Sequence, residues 1–513
     1  MEEKSSNKTI AKNTLFLYFR MMVTMVISLY TSRVILQILG VDDFGIYQTV
    51  GGVVGMLSFI NNALAVGTSR FLTFELGTGN KEKLRRTFAT ILSAHIILVF
   101  FIVLLCETIG LWFVYTKLNI PAERLDAAVF AYHFSILTVL TQLIQVPYNA
   151  SIISHERMSI YAYTSIADAV LSLLIVYLLV IGGGDKLMLY SVLFFVVKLC
   201  MTVFYVFYCM QKFTETRTRL LIDRQILGDV LGYSGWNLFA NTSIALNNHG
   251  AVILLNMFFS PGVVTGRAIA NQVNMAAYHF ITNFRTAANP QIVKRYAAKD
   301  YEGSKSLLLS STKYSYYLML MLALPIFLVA EPLIQLWLGQ VPPYSVMFLQ
   351  FAIISCLFQV FDSSFYTALY AKGQIRENAL ISPMVGFLAF PIIYFLFKLG
   401  FSPMSLAVIN MLGYVLLGLI IKPILIIKIV DYTWREIFSV FLPCLKVTIA
   451  SLPLPIIFSK YVSSLNLHII ICSFLIVVVS LLSVGFCCWF WGLSSEIRGE
   501  IAISVKKVLC RRK

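Results

Sequence analysis

Seven side chains, Arg267, Asn271, Asn274, Tyr278, Thr282, Arg285 and Asn289, follow one another at intervals of 4, 3, 4, 4, 3 and 4 residues. That spacing places them on one face of an α-helix, with about 27 Å between the two arginines at 1.5 Å per residue. A second stripe comes shortly before it, Asn237, Asn241 and Asn248, with Asn247 and His249 alongside. The planar donor fork of a guanidinium suits a phosphate, and carboxamides both donate and accept. Such a set binds polar or anionic cargo. It does not make or break bonds. Two readings stay open for the asparagines: hydrogen bonds between helices, or the lining of a wet cavity. Two stay open for the arginines as well: snorkelling to an interface, or phosphate recognition. Arg20 and Arg33 add two further cations within the first apolar segment.

Acids inside apolar segments are few. Asp168 and Asp362 are candidates to carry a proton or Na⁺ in ion coupling, while Glu107 and Glu331 sit at segment ends. His95, His133 and His279 stand singly, which fits packing better than ligation, and no pair has metal-ligand spacing. The triplet Gly182–Gly184 lacks the Lys-Ser/Thr of a phosphate loop. The nine cysteines have no metal spacing either, and Cys487 and Cys488 read as packing. No catalytic residue, metal or cofactor is expected.

The elements that carry these residues are membrane helices. The chain has 513 residues, 59% hydrophobic and 12% charged, with mean hydropathy +0.82. Soluble domains carry about 25% charged residues, so an ordinary soluble enzyme is excluded. Apolar runs of about 20 residues recur, each long enough to cross a bilayer. They are continuous rather than alternating, which selects helices over a barrel. The pattern predicts an all-α polytopic protein with spans near 13–36, 44–66, 87–111, 128–151, 160–181, 187–210, 229–258, 264–288, 308–336, 344–370, 379–398, 402–427, 437–459 and 467–492. The first is read as a retained helix, being too long for a signal-peptide core. Pro147, Pro325 and Pro391 are expected to kink their helices.

Lys and Arg crowd into the N-terminus, the even-numbered connections and the C-terminus, and are nearly absent from the odd-numbered ones. This bias places both termini in the cytoplasm and accounts for the net charge of +16 without a nucleic-acid partner. The tail Lys506-Lys507…Arg511-Arg512-Lys513 should lie against anionic headgroups.

The two halves are related. Shifted by 221 residues, segment 45–70 aligns with 266–291, with Gly45, Phe59, Ile60 and Asn62 matching Gly266, Phe280, Ile281 and Asn283. CETIGLW (106–112) then corresponds to AEPLIQLW (330–337), and 151–165 to 368–382. Six helices per repeat make the repeats parallel, with a cargo site expected between them near the midplane. The organisation is therefore a cytoplasmic N-terminus (1–12), an N-lobe of six helices (13–210), a cytoplasmic linker (211–228), a C-lobe of six helices (229–427), two appended helices (428–492) and a basic tail (493–513).

Three segments carry a family resemblance: LGVDDFGIYQTV (39–50), VPYNASIISHERMSIYA (146–162) and EPLIQLWLG (331–339). With the repeat pattern, they resemble the multidrug/oligosaccharidyl-lipid/polysaccharide (MOP, MATE-like) exporter superfamily, and within it the Wzx-type O-antigen and capsule polysaccharide flippases. The resemblance implies a monomeric protein of the bacterial inner membrane, working by alternating access through a cationic cavity. Its implied cargo is a polyprenyl-pyrophosphate-linked oligosaccharide, with H⁺ or Na⁺ as counter-ion. Arg20, Arg33, Asn237, Asn241, Asn248, Arg267, Asn271, Asn274, Tyr278 and Arg285 would line that cavity. The alternatives are a cation-coupled drug exporter and a peptidoglycan-precursor flippase. Drug exporters of this fold typically carry an Asp on the first helix, where this chain has two arginines and no acid.

The charge bias makes the topology testable. Lys83→Cys and Arg219→Cys should be shielded from an impermeant thiol reagent in intact cells, and Asp42→Cys and Gln340→Cys should be labelled. Labelling of the first pair would overturn the assignment.

Overall fold

The computed structural model describes residues 2–374, 376–465, 468–493 and 498–499. Their side chains are included except at 2–18, 58, 62, 66, 233, 234, 236, 237, 240, 280, 281, 283, 284, 286–288 and 290. The basic tail and the side chain of Asn237 lie outside the described residues. All regular structure among them is helical. In chain order the helices are α1 (Glu2–Gly55), α2 (Ser58–Thr78), α3 (Lys81–Lys117), α4 (Ala122–Ser154), α5 (Met158–Ile181) and α6 (Lys186–Lys212). Then come α7 (Arg224–Ala245, running on through Leu246–Gly250 into Ala251–Phe258), α8 (Pro261–Ala297), α9 (Tyr301–Leu328), α10 (Ala330–Leu338) and α11 (Ser345–Lys372). The last four are α12 (Arg376–Lys398), α13 (Met404–Val430), α14 (Trp434–Ser463) and α15 (Ile469–Gly492).

Among the described residues, ten of these helices are long and apolar enough to cross a membrane, or eleven with α9 and α10 counted as one span bent by 75°. The spans expected at 229–258 and 264–288 are helical but do not qualify, and the span expected at 44–66 falls partly in the qualifying helix Phe19–Gly55 and partly in α2, which does not qualify. The first two, on α7 and α8, carry the asparagine stripes, and those polar residues lower their hydropathy. The span at 44–66 is also interrupted, between Gly55 and Ser58. Pro325 lies within α9, and the bend follows it at Val329, whose N–H still reaches the Pro325 carbonyl at 2.9 Å. Large apolar side chains such as Phe100, Phe207, Ile457 and Phe474 are exposed, as a lipid-facing surface requires. The chain is a multi-pass membrane protein.

Two compact units form: Met1–Ala268 with Gly386–Pro403, and Ile269–Val385 with Met404–Lys513. The chain passes between them three times, inside α8, inside α12 and between Pro403 and Met404. The first unit packs Leu72, Phe88, Ile152, Tyr205 and Cys209 around Tyr148, whose ring meets Phe88 edge-on at 5.4 Å. In the second, Phe361 stacks on Tyr316 at 5.1 Å and meets Phe441 at 4.9 Å.

The segment LGVDDFGIYQTV shows how sequence positions the first unit. Gly40 has φ 80° and ψ 174° and interrupts α1, a backbone region open essentially to glycine. A Cβ there would meet nothing within 4 Å, so the constraint is purely conformational. At Gly45 the reason is contact: a Cβ would lie 2.1 Å from the Pro261 carbonyl oxygen. That gap lets the start of α8 approach α1, where the Thr265 hydroxyl donates to the Val41 carbonyl at 2.6 Å. Between the two glycines, Asp43 takes a two-point contact from Arg124, with Nε to Oδ1 at 2.8 Å and Nη2 to Oδ2.

Arg124 also holds Asp185, which caps α6 by accepting from the Leu187 and Met188 N–H groups at 2.9 and 3.1 Å. Burial opposes ionisation of Asp185. The Arg124 hydrogen bond, the two N–H groups and the Arg124 charge outweigh it and hold its carboxyl below the usual carboxylate range. One guanidinium thus ties together the α1 bend and the starts of α4 and α6. Removing it leaves two carboxylates facing each other. With the partners partly exposed, Arg124→Ala should cost about 2 kcal/mol, with Arg124→Lys recovering part. Thermal unfolding in detergent measures this, and an unchanged midpoint for Arg124→Ala would refute the role.

Candidate substrate cavity

A cavity of about 660 Å³ lies within the first unit. α1 supplies Arg20, Thr24, Ser28 and Thr31, which recur every three to four residues along one face, with Ser32 beside them. Gln48 and Asn61 come from beyond the Gly40 bend, and Gln142, Gln145 and Asn149 from one face of α4. α5 presents Tyr161, Thr164, Ser165, Asp168 and Ser172, and α6 presents Tyr190, Phe194, Lys198 and Tyr205. Hydroxyls, carboxamides and aromatic rings predominate.

Its charges are organised. Lys198 Nζ lies 2.6 and 2.7 Å from the two Asp168 oxygens and 5.0 Å from the centre of the Phe194 ring. The carboxylate and the ammonium cancel. Arg20 has no carboxylate against it among the described residues; its guanidinium lies over the Tyr161 ring at 4.6 Å, a cation–π contact. Among the described residues the cavity wall therefore carries one net positive charge.

The wall is also incompletely bonded. Arg20 Nε, Thr31 Oγ1, Asn61 Oδ1 and Asn149 Oδ1 are buried atoms without a hydrogen-bond partner among the described residues. Buried polar groups are nearly always satisfied, so four such atoms on one cavity call for water or cargo. The carboxamide oxygens need donors and the guanidinium needs an acceptor. Other wall groups have partners: Thr164 and Tyr205 share a hydrogen bond of 2.7 Å, and Gln145 Oε1 accepts from Thr202 behind the wall at 3.2 Å.

The remaining sequence candidates are dispersed. Arg33 is half-buried on α1 and does not line this cavity. Asn241 is half-buried and Asn248 exposed on α7. Arg267 donates to the Asn247 carbonyl at 3.1 Å. In the second unit Asn271 is exposed, and Asn274 accepts from Cys356 Sγ at 2.6 Å. Tyr278 bonds to Ser363. Arg285, only 6% exposed, donates to the Ser363 carbonyl at 2.7 Å and the Thr367 hydroxyl at 2.9 Å, and also to Ser363 Oγ. Asp362 pairs with Lys422 at 3.1 Å, and Lys422 also reaches Asn378 Oδ1. His95 and His133 donate to the carbonyl one turn back, at 2.9 and 2.7 Å.

Of the predicted residues whose side chains are described, the cavity brings together only Arg20 and Asp168. Lys198 and the carboxamides of α4 were not anticipated. Their signals are a lysine within an apolar run and the 3-then-4 spacing of Gln142, Gln145 and Asn149.

A model of the MatE family matches residues 251–395. By sequence, no curated protein matches the chain. Three solved structures resemble it. The lipid II flippase MurJ in an inward closed conformation has TM-score 0.68 at 9% identity, over 93% of this chain and 98% of that one. An inward-facing multidrug resistance MATE family transporter of the MOP superfamily has TM-score 0.64 at 15% identity, over 82% and 99%. A MOP superfamily transporter from Pyrococcus furiosus, described as having a binding pocket of reverse polarity, has TM-score 0.57 at 14% identity, over 83% and 97%. The chain has the fold of the MOP superfamily transporters.

Proposed function

We propose that the protein translocates a polyprenyl-pyrophosphate-linked oligosaccharide from the cytoplasmic to the outer leaflet of the bacterial inner membrane, for O-antigen, capsule or exopolysaccharide assembly. The observation that carries this reading is the cavity of the first unit, polar, net positive and lined by unsatisfied hydrogen-bonding atoms. A sugar offers the hydroxyl donors that Asn61 and Asn149 lack, and a phosphate or uronate offers the acceptor that Arg20 lacks. Tyr161 and Tyr190 provide apolar ring surface for sugar faces. In this reading the chain consists of two parallel six-helix repeats, 13–210 and 229–427, exposing the cavity alternately to the two sides, with both termini cytoplasmic.

An exporter of organic cations fits less well, because Lys198 cancels the cavity's acid. A peptidoglycan precursor presents the same pyrophosphate and sugar chemistry, and the phenotype separates it. In cells lacking the chromosomal copy, Arg20→Ala should reduce surface polysaccharide about tenfold or more, the loss of one charge-assisted bond of about 1.5–3 kcal/mol. Protein level in the membrane should not change, and Arg20→Lys should keep part of the output. Normal output from Arg20→Ala would remove the cationic cavity from the mechanism. Arrest of wall synthesis with intact polysaccharide would assign the peptidoglycan precursor instead.

Cavity charge gives a second test. Lys198→Ala leaves Asp168 uncompensated, so the purified variant should bind ethidium, a flat organic cation. The parent and the double variant Lys198→Ala/Asp168→Asn should not. Equal ethidium fluorescence in all three would show that the Asp168–Lys198 pair does not set cavity polarity.

A further inference from the structure

The connection from α6 to α7 does not hang free of the helices. Arg217 caps the end of α6, donating to the Met210 carbonyl and, at 3.1 Å, to the Gln211 carbonyl. Its own carbonyl accepts from Arg85 on the first turns of α3 at 3.1 Å. The chain then runs along α3. The Leu221 N–H donates to Ser93 Oγ at 3.1 Å, and the Asp223 N–H donates to Thr90 Oγ1 at 3.1 Å. Ser93 is about 12 Å along the helix axis from Arg85. The connection thus descends beside α3 to the level of Ser93 and turns back at Thr90, where Asp223 caps α7.

The lowest part of this dip is Leu220, Leu221 and Ile222, which are 59%, 48% and 50% exposed. Three consecutive exposed aliphatic side chains are unfavourable in water. The Leu221 N–H within the tip and the Asp223 N–H just beyond it are satisfied by α3, so the backbone is held at the level of the polar headgroups while the three side chains reach toward hydrocarbon. The helix face it lies on continues as Ile97, Phe101 and Leu104, all exposed and apolar, so the tip extends the lipid-facing stripe of α3. Around its rim Arg85, Arg86, Arg219 and Arg224 are exposed.

We infer that residues 217–223 form an interfacial anchor: Leu220–Ile222 sit among the acyl chains of one leaflet, and the surrounding arginines engage anionic phospholipid headgroups. Apolar burial combined with basic residues at the headgroup level is how interfacial segments hold a membrane. The leaflet is the cytoplasmic one, the side to which the basic connections assign this linker. The anchor fixes the start of α7 against the first unit, and it is independent of the cargo.

A nitroxide on Leu220→Cys, in bilayers of phosphatidylcholine and phosphatidylglycerol, reports the depth. Its collision rate should be higher with dissolved oxygen than with a water-soluble nickel chelate. A rate with the chelate equal to or above that with oxygen would place the tip in water and overturn the anchor. Native mass spectrometry reports the headgroups. Arg85→Gln/Arg219→Gln should retain at most half the phosphatidylglycerol that the parent retains, with phosphatidylcholine unchanged. Undiminished phosphatidylglycerol would overturn the headgroup contact, and a label that stays deep in the double variant confirms that the loop still folds.

Discussion

Hydrocarbon offers no hydrogen bonds, and that one constraint orders this structure. It makes every crossing segment a helix, since only a helix satisfies its own backbone. It then leaves each polar side chain a limited set of partners. Some pair with an opposite charge, as Lys198 does with Asp168 and Lys422 with Asp362. Arg285 is taken up by the carbonyl and hydroxyls of α11. Arg20, Asn61 and Asn149 keep unsatisfied atoms and face a cavity. The third group is the informative one, because those atoms have no hydrogen-bond partner among the described residues.

The helices were legible because a run of about 20 apolar residues has few alternatives. Polar stripes were legible as periodicity, which tells which residues share a face but not what that face meets. Arg285 illustrates the limit. Its spacing suits a cavity, yet its partners Ser363 and Thr367 come from another helix far along the chain, and they bury it. The lysines show the same limit from the other side. Lys198 finds Asp168 on the neighbouring helix, so a charge that reads as isolated is neutralised. Among the described residues, Arg20 and Asp168 are the members of the predicted set that line the cavity of the first unit.

The α1 bend was legible only in part. A break between the first two apolar runs is evident from Val41-Asp42-Asp43, but its economy is not. One glycine at φ 80° redirects the chain with helix on both sides. Holding that bend falls to Arg124, whose two aspartates lie far from it on either side in sequence. Such a three-element tie leaves no local pattern. It is also why the segment 39–50 reads as a motif: each of Gly40, Asp43 and Gly45 answers a separate geometric demand within six residues.

The pairing of Asp168 with Lys198 and of Asp362 with Lys422 has a consequence for how this chain can drift. Losing one ion of a buried pair strands the other in a poorly solvating wall, whereas losing both can be nearly neutral. Positions 168 and 198 are thus bound to change together, as are 362 and 422, and each pair forms a single heritable character. Arg20 stands outside any such pact, so among close relatives it can be exchanged in one step. A lineage in which the net charge of this cavity changes would find its shortest mutational route there.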